Sequence, residues 1–292
     1  MGGREEMRLG ISGALLPDDV ADLTPEMART IREWGYTGIF TRLRANDPHQ
    51  PPAAASQRFV DILADANIEH VMATGYWQNL IHPDDAERTR AVDTLCRALE
   101  FAAQLGARCI DTGPGSMNPR GPWTPHPDNW ASWAEPNLVE SLARASEVAA
   151  TVGVYIHLEG HQLVTLRDAV VMARVIDAVG SPWVRVDMDP VNWITLDSYF
   201  QNGDAIDEMF DTLDTRVGSG HSKDITLWDR HTVHLDTVPT GQGEIDHGRY
   251  IHRLESLDPG MYLIVEGCST AEAPGIRQFL ADQAAAVGVT IY

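Results

Sequence analysis

Eight times along the chain a short apolar run gives way to a longer segment with helical spacing, and this repeat constrains the fold more than any other feature. The runs are MRLGI (7 to 11), TGIFT (37 to 41), IEHVMAT (68 to 74), ARCIDT (107 to 112), VYIHLE (154 to 159), WVRVDMD (183 to 189), GSGHSK (218 to 223) and MYLIVE (261 to 266). Helical spacing follows each in turn, at 24–34, 53–66, 84–105, 136–151, 165–179, 204–213, 248–256 and 271–286. Strands separated by helices pair in parallel, because the helix carries the chain back to the starting edge of the sheet. Eight such units predict an α/β fold in which the sheet closes on itself, a (β/α)8 TIM barrel. A chain of 292 residues with 43% hydrophobic content suffices for one such barrel, so a single domain over 1–292 is expected.

Charge and cysteine usage narrow the function classes. Forty-two acidic against 22 basic residues give a formal charge of -20, which repels a polyanion and argues against nucleic acid as partner. The three cysteines, Cys96, Cys109 and Cys268, are widely spaced and form no CxxC, so neither a disulfide framework nor a thiolate zinc site is expected. No apolar stretch reaches the roughly 18 residues of a membrane span, and the start MGGREEMRLG has no apolar signal core. A cytoplasmic protein with no membrane partner is the expectation.

Ligand-type side chains stand at the ends of the last four runs: Glu159 in YIHLEG, Asp189 in VRVDMDP, His221 in GSGHSKD and Glu266 in YLIVEG. In a parallel barrel the carboxyl ends of the strands build the active site. No two of these residues are neighbours in sequence, so only closure of the sheet can gather them. Three carboxylates and one imidazole suit manganese first, with magnesium, cobalt and zinc as alternatives. Asp187 is an alternative to Asp189, since alternation puts both on one face of an extended strand. Lys223, the one lysine in the chain, lies inside the same motif and is a candidate for binding a substrate oxygen.

These segments resemble the sugar isomerases and epimerases of the xylose-isomerase-like barrel superfamily. The resemblance is densest in LEGH (158 to 161), DMDPVNW (187 to 193), HSKD (221 to 224), PTGQGEID (239 to 246) and VEG (265 to 267). It implies Glu159, Asp189, His221 and Glu266 as metal ligands, with Glu159 and Glu266 also the acid/base pair. The implied chemistry is carboxylate-mediated proton transfer beside the carbonyl of a sugar or keto-sugar, through an enediolate held on the metal. The chain departs from the ketose 3-epimerases at Asn192, where they carry a histidine, and beyond HSKD, where it lacks their arginine. A lyase therefore remains the alternative, either a keto-cyclitol dehydratase or an enzyme removing the aglycone of a keto-glycoside. So does a barrel subunit active only with a partner.

Six of the eight tryptophans follow strands on the same side as the ligand set. Trp77, Trp123 and Trp193 are expected to bind substrate, together with His161, Asn192 and Lys223. The segment from about 112 to 135 is long enough to act as a lid. Exposed tryptophans serve an oligomer contact equally well, which leaves a homo-oligomer or a small partner subunit open. His157 reads as a core histidine, Glu244 as part of a turn, and Cys268 as a small apolar filler.

Overall fold

The computed structural model describes residues 6–42, 53–74, 77–228 and 230–292. Eight parallel strands close a barrel: β1 (Arg8–Ser12), β2 (Gly38–Arg42), β3 (Glu69–Thr74), β4 (Cys109–Thr112), β5 (Tyr155–Leu158), β6 (Val184–Met188), β7 (Val217–Ser222) and β10 (Tyr262–Val265). They pair in sequence order around the ring, and β10 closes onto β1 with Leu9 opposite Leu263. The helices α1 (Pro25–Glu33), α2 (Ala53–Asp65), α3 (Asp85–Gln104), α4 (Ala134–Val152), α5 (Ala169–Val179), α6 (Asn202–Leu213), α7 (His247–Leu257) and α8 (Ala273–Ala286) follow the eight strands in turn. The expected single (β/α)8 barrel is the fold observed. No described helix is long and apolar enough to cross a membrane.

Local chemistry sets the helix ends. Thr24, Asp84, Asp168 and Asp246 each cap a helix start by accepting a backbone N–H, a contact worth about 1 kcal/mol. Gly153 and Gly180 close α4 and α5 in the left-handed conformation that glycine adopts without Cβ strain. The fifth helix begins later than its apolar spacing suggests. Asp168 accepts from Val171 N at 2.8 Å and fixes the start, while the Thr165 hydroxyl turns away to bond Asn129 O, also at 2.8 Å.

One element is absent from the eightfold reading. Between β7 and α7 the strands β8 (Asp224–Trp228) and β9 (His234–Val238) pair as an antiparallel hairpin. Its base is held by buried Asp224, which accepts from Ile225 N, Gly241 N and Ile245 N, each within 3.0 Å. HSKD and PTGQGEID are thus two halves of one structural staple, and Lys223 sits at the joint between barrel and hairpin.

The barrel interior is divided by polarity. Phe40, Met72, Cys109 and Ile264 pack one side as an apolar cluster with Val71 and Tyr262. Tyr262 fits there because β2 begins with Gly38, where a Cβ would come within 2.6 Å of its ring. Opposite, inward positions of β4 to β7 carry Asp111, His157, Asp187, Ser219 and His221, all buried. Burying them without partners would be costly, so they are chained: the Ser219 hydroxyl donates to Asp187 Oδ1 and accepts from His157 Nδ1–H, both at 2.7 Å. His157 is the buried, satisfied histidine that its sequence position suggests.

His70 on β3 is buried too, donating from Nδ1 to Leu105 O at 3.0 Å and accepting at Nε2 from the Thr41 hydroxyl at 2.8 Å. Burial pushes it down to about 4, so the native imidazole stays neutral where the unfolded one is already charged. Stability from this group is full above pH 6.5 and falls as pH drops towards 4, by about 2 kcal/mol at pH 5. In urea unfolding at pH 7 and pH 5, His70→Gln should lose about 2 kcal/mol less than the parent protein. Equal losses would contradict a neutral buried His70.

Candidate metal centre and substrate cleft

Closure of the sheet brings the four ligand-type residues together. Glu159 and Asp189 stand one residue past β5 and β6, His221 lies in β7, and Glu266 stands one residue past β10. One ligand atom from each lies within 4.8 Å of all the others. Asp187 is not in this set. It lies one layer deeper, with Oδ2 2.8 Å from His221 Nε2. A carboxylate there holds the proton on Nε2 and turns Nδ1, with its lone pair, towards the carboxylates.

Nδ1 of His221 is buried without a hydrogen-bond partner, 3.4 Å from Glu266 Oε2 and 3.7 Å from Glu159 Oε1. A buried nitrogen aimed at two carboxylates, beside a third from Asp189, fits a divalent cation. Glu159, Asp189, His221 and Glu266 are the residues that would hold it.

Lys223 supplies positive charge at the same point. Its Nζ lies 2.6 Å from Asp189 Oδ2, 2.8 Å from Glu266 Oε2 and 3.3 Å from Glu159 Oε1. Burial works against the ammonium, but the three carboxylates outweigh it and hold the Lys223 pKa well above its usual value. Burial also acts on Glu159, in the opposite sense to Lys223 and His221, which together keep it ionised well below the usual carboxylate range. Asp189 differs: burial pushes it up to about 7, with Lys223 pulling down and Glu159 pushing up. Asn192 donates from Nδ2 to Glu159 Oε1 at 2.7 Å, which makes it a positioner of that carboxylate.

These groups open into a cavity of about 1140 Å³ at the carboxyl ends of the strands. Trp77 and Trp123 form its wall, with ring centroids 4.4 Å apart. Trp77 lies flat over Gly113, where any Cβ would run into the indole. His161 stacks on Trp123 at 4.4 Å, and both of its nitrogens are engaged: Nε2 donates to Trp123 O at 3.0 Å and Nδ1 accepts from Leu163 N at 3.1 Å. Its contribution is therefore to brace the aromatic wall. Trp193 is placed elsewhere, 6% exposed and donating its indole N–H to Leu166 O. The aromatic pattern alone could not separate it from the wall tryptophans, because it follows a strand as they do.

The loop from β4 to α4 carries Trp123 over the cavity and is pinned by the fully buried Asn129. That side chain donates to Ser116 Oγ (3.1 Å) and Leu163 O (3.0 Å) and accepts from Met117 N (2.9 Å). Asp111 on β4 and Arg42 at the end of β2 also line the cavity, and sequence reasoning missed both. The signal for Asp111 was present, since ARCIDT ends on the same acidic strand-end pattern as the ligand runs. A second cavity, of about 710 Å³, opens at the opposite end of the barrel among Tyr155, His157, Arg185 and Tyr262. None of the four ligand residues lines it.

Residues 28–286 match the xylose isomerase-like TIM barrel family, and the chain belongs to it. No curated protein matches it in sequence. Among solved structures, an L-ribulose 3-epimerase is 18% identical, with a TM-score of 0.75 and coverage of 96% of this chain and 95% of that one. A xylose isomerase-like barrel protein from Mycobacterium smegmatis, in complex with magnesium, is 16% identical with a TM-score of 0.69, covering 96% and 98%. A probable 3-DHS dehydratase from Bacillus anthracis is 14% identical with a TM-score of 0.70, covering 94% and 98%. At these identities the likeness establishes the fold.

A cation held by this cluster stabilises the native state by mass action, about 2.7 kcal/mol at a hundredfold excess over Kd. Manganese should therefore raise the Tm by roughly 5–10 °C. His221→Ala should abolish the rise, and Asp187→Asn should shift its midpoint to roughly 10–100-fold higher metal. A parental rise in His221→Ala would contradict the ligand role.

Proposed function

We propose that the protein is a divalent-metal-dependent isomerase or epimerase of a sugar or keto-sugar, with manganese the first candidate metal. The observation that carries this reading is the pairing of Glu159 and Glu266 across one cluster with the unpartnered Nδ1 of His221. A divalent cation there would supply Lewis-acid polarisation of a substrate carbonyl.

The chain's own residues divide the remaining work. Glu159, kept ionised by Lys223 and His221 and oriented by Asn192, takes the proton from the carbon beside the carbonyl. Glu266, on the other side of the cluster, returns a proton. Delivery to the same carbon on its opposite face gives an epimer, and delivery to the adjacent carbon gives an isomer. The Lys223 ammonium stabilises negative charge developing on the substrate oxygen. Trp77 and Trp123 present flat apolar faces to the C–H face of a sugar ring, and Trp193 serves the packing beneath.

One observation favours a second reading. The wall of Trp77, Trp123 and His161 around about 1140 Å³ leaves room for more than a single ring, which suits elimination from a keto-cyclitol or a keto-glycoside. The same base would remove the same proton, and departure of the β-substituent would replace reprotonation. The three cysteines are unpaired, which supports a reducing compartment such as the cytoplasm.

Proton exchange tests the proposal. The manganese-loaded protein, followed by NMR in D₂O over a panel of keto-sugars, should exchange a substrate C–H with solvent while conserving composition. Release of water or aglycone would move the assignment to the lyase. Glu159→Gln should retain the fold and lose roughly 10²–10⁴-fold in turnover. Unchanged turnover would remove Glu159 from the mechanism.

A further inference from the structure

Asp111 stands beside the ligand cluster and takes no part in it. It is 3% exposed and lines the same cavity as Glu159 and Trp77. Its Oδ2 accepts from Thr74 Oγ1 at 2.9 Å and from Trp77 Nε1 at 3.3 Å. Trp77 Nε1 also donates to Thr74 Oγ1 at 3.0 Å, so indole, hydroxyl and carboxyl form one fixed unit. Oδ1, by contrast, is buried and has no hydrogen-bond partner.

A buried polar atom without a partner costs roughly 1–3 kcal/mol. Nothing in the packing of β4 requires that cost, since the Thr74 and Trp77 bonds use only the other oxygen. What sets Asp111 apart from a structural carboxylate is its place: it shares a cavity wall with an aromatic face, and binding clefts combine such apolar surfaces with a few fixed polar atoms. Burial, then the charges of Glu159 and Asp187, push its carboxyl well above the usual carboxylate range, which adds an O–H donor to its acceptor capacity.

We propose that Asp111 is a substrate-specificity residue, whose Oδ1 hydrogen-bonds a hydroxyl of a polyhydroxylated substrate outside the metal cluster while Trp77 covers the adjacent ring face. The site thereby selects sugars that carry this hydroxyl over their deoxy counterparts. A site that pairs a buried polar atom with a substrate hydroxyl rejects the analogue lacking it far more strongly than an apolar pocket can. The assignment rests on the carbohydrate reading above and adds to it the recognition of a hydroxyl remote from the reacting carbonyl.

The test uses D-fructose and its monodeoxy analogues with the manganese-loaded full chain, by titration calorimetry and by soaking crystals in D-fructose. The expected result is a sugar hydroxyl within hydrogen-bond distance of Asp111 Oδ1. Asp111→Ala should bind D-fructose about tenfold more weakly and lose the preference over one particular monodeoxy analogue. Asp111→Asn, which keeps a polar atom in that place, should retain the preference. A sugar seated in the cleft with Oδ1 still unpartnered would overturn the assignment and leave the carbohydrate reading standing. So would an equal loss of affinity for every analogue in Asp111→Ala, because that is the signature of a structural role. Absence of both bound sugar and binding heat in the parent protein would overturn the two together.

Discussion

Like charges held close together are the constraint on which the rest of the site depends. Glu159, Asp189 and Glu266 converge with His221 inside 4.8 Å, and Asp187 lies directly beneath. Two unit charges about 4 Å apart repel by roughly 4 kcal/mol in a partly buried setting, so such a cluster persists only where cations answer it. Lys223 answers from the β7–β8 joint. His221, steered by Asp187, answers from the barrel wall, and its free nitrogen completes a donor set of three oxygens and one nitrogen.

The barrel makes this arrangement rigid. Each ligand leaves the carboxyl end of a strand whose neighbours are fixed by parallel pairing, so the positions follow from register rather than from loop conformation. The polar chain His157–Ser219–Asp187 beneath the cluster transmits the same rigidity to the imidazole. The apolar half of the interior, around Phe40, Met72 and Ile264, supplies the remaining wall, and the Phe40 ring stacks on His221 at 5.4 Å.

Much of this was legible in the sequence, for identifiable reasons. A buried parallel strand is nearly all apolar until it reaches the mouth of the barrel. A lone Glu or His at its end, as in YIHLEG or GSGHSKD, therefore stands out. The β8–β9 hairpin was not legible, because Ile225–Trp228 continues the apolar run of β7 and the polar faces of β9 look like loop. Trp193 was placed on the cleft because position after a strand does not reveal which way a ring turns. Asp111 was overlooked because its neighbours Thr74 and Trp77 come from another strand, and only the closed sheet shows the unit they form. Asn192, expected to touch substrate, holds Glu159 instead, a partnership that depends on two strand ends meeting.

The central claim is that one cation unites four distant residues, and anomalous diffraction at the manganese edge from crystals soaked in manganese tests it most directly. A single strong peak should lie between Glu159, Asp189, His221 Nδ1 and Glu266, within coordination distance of all four. No peak there, or a peak that leaves His221 Nδ1 unligated, would contradict the account.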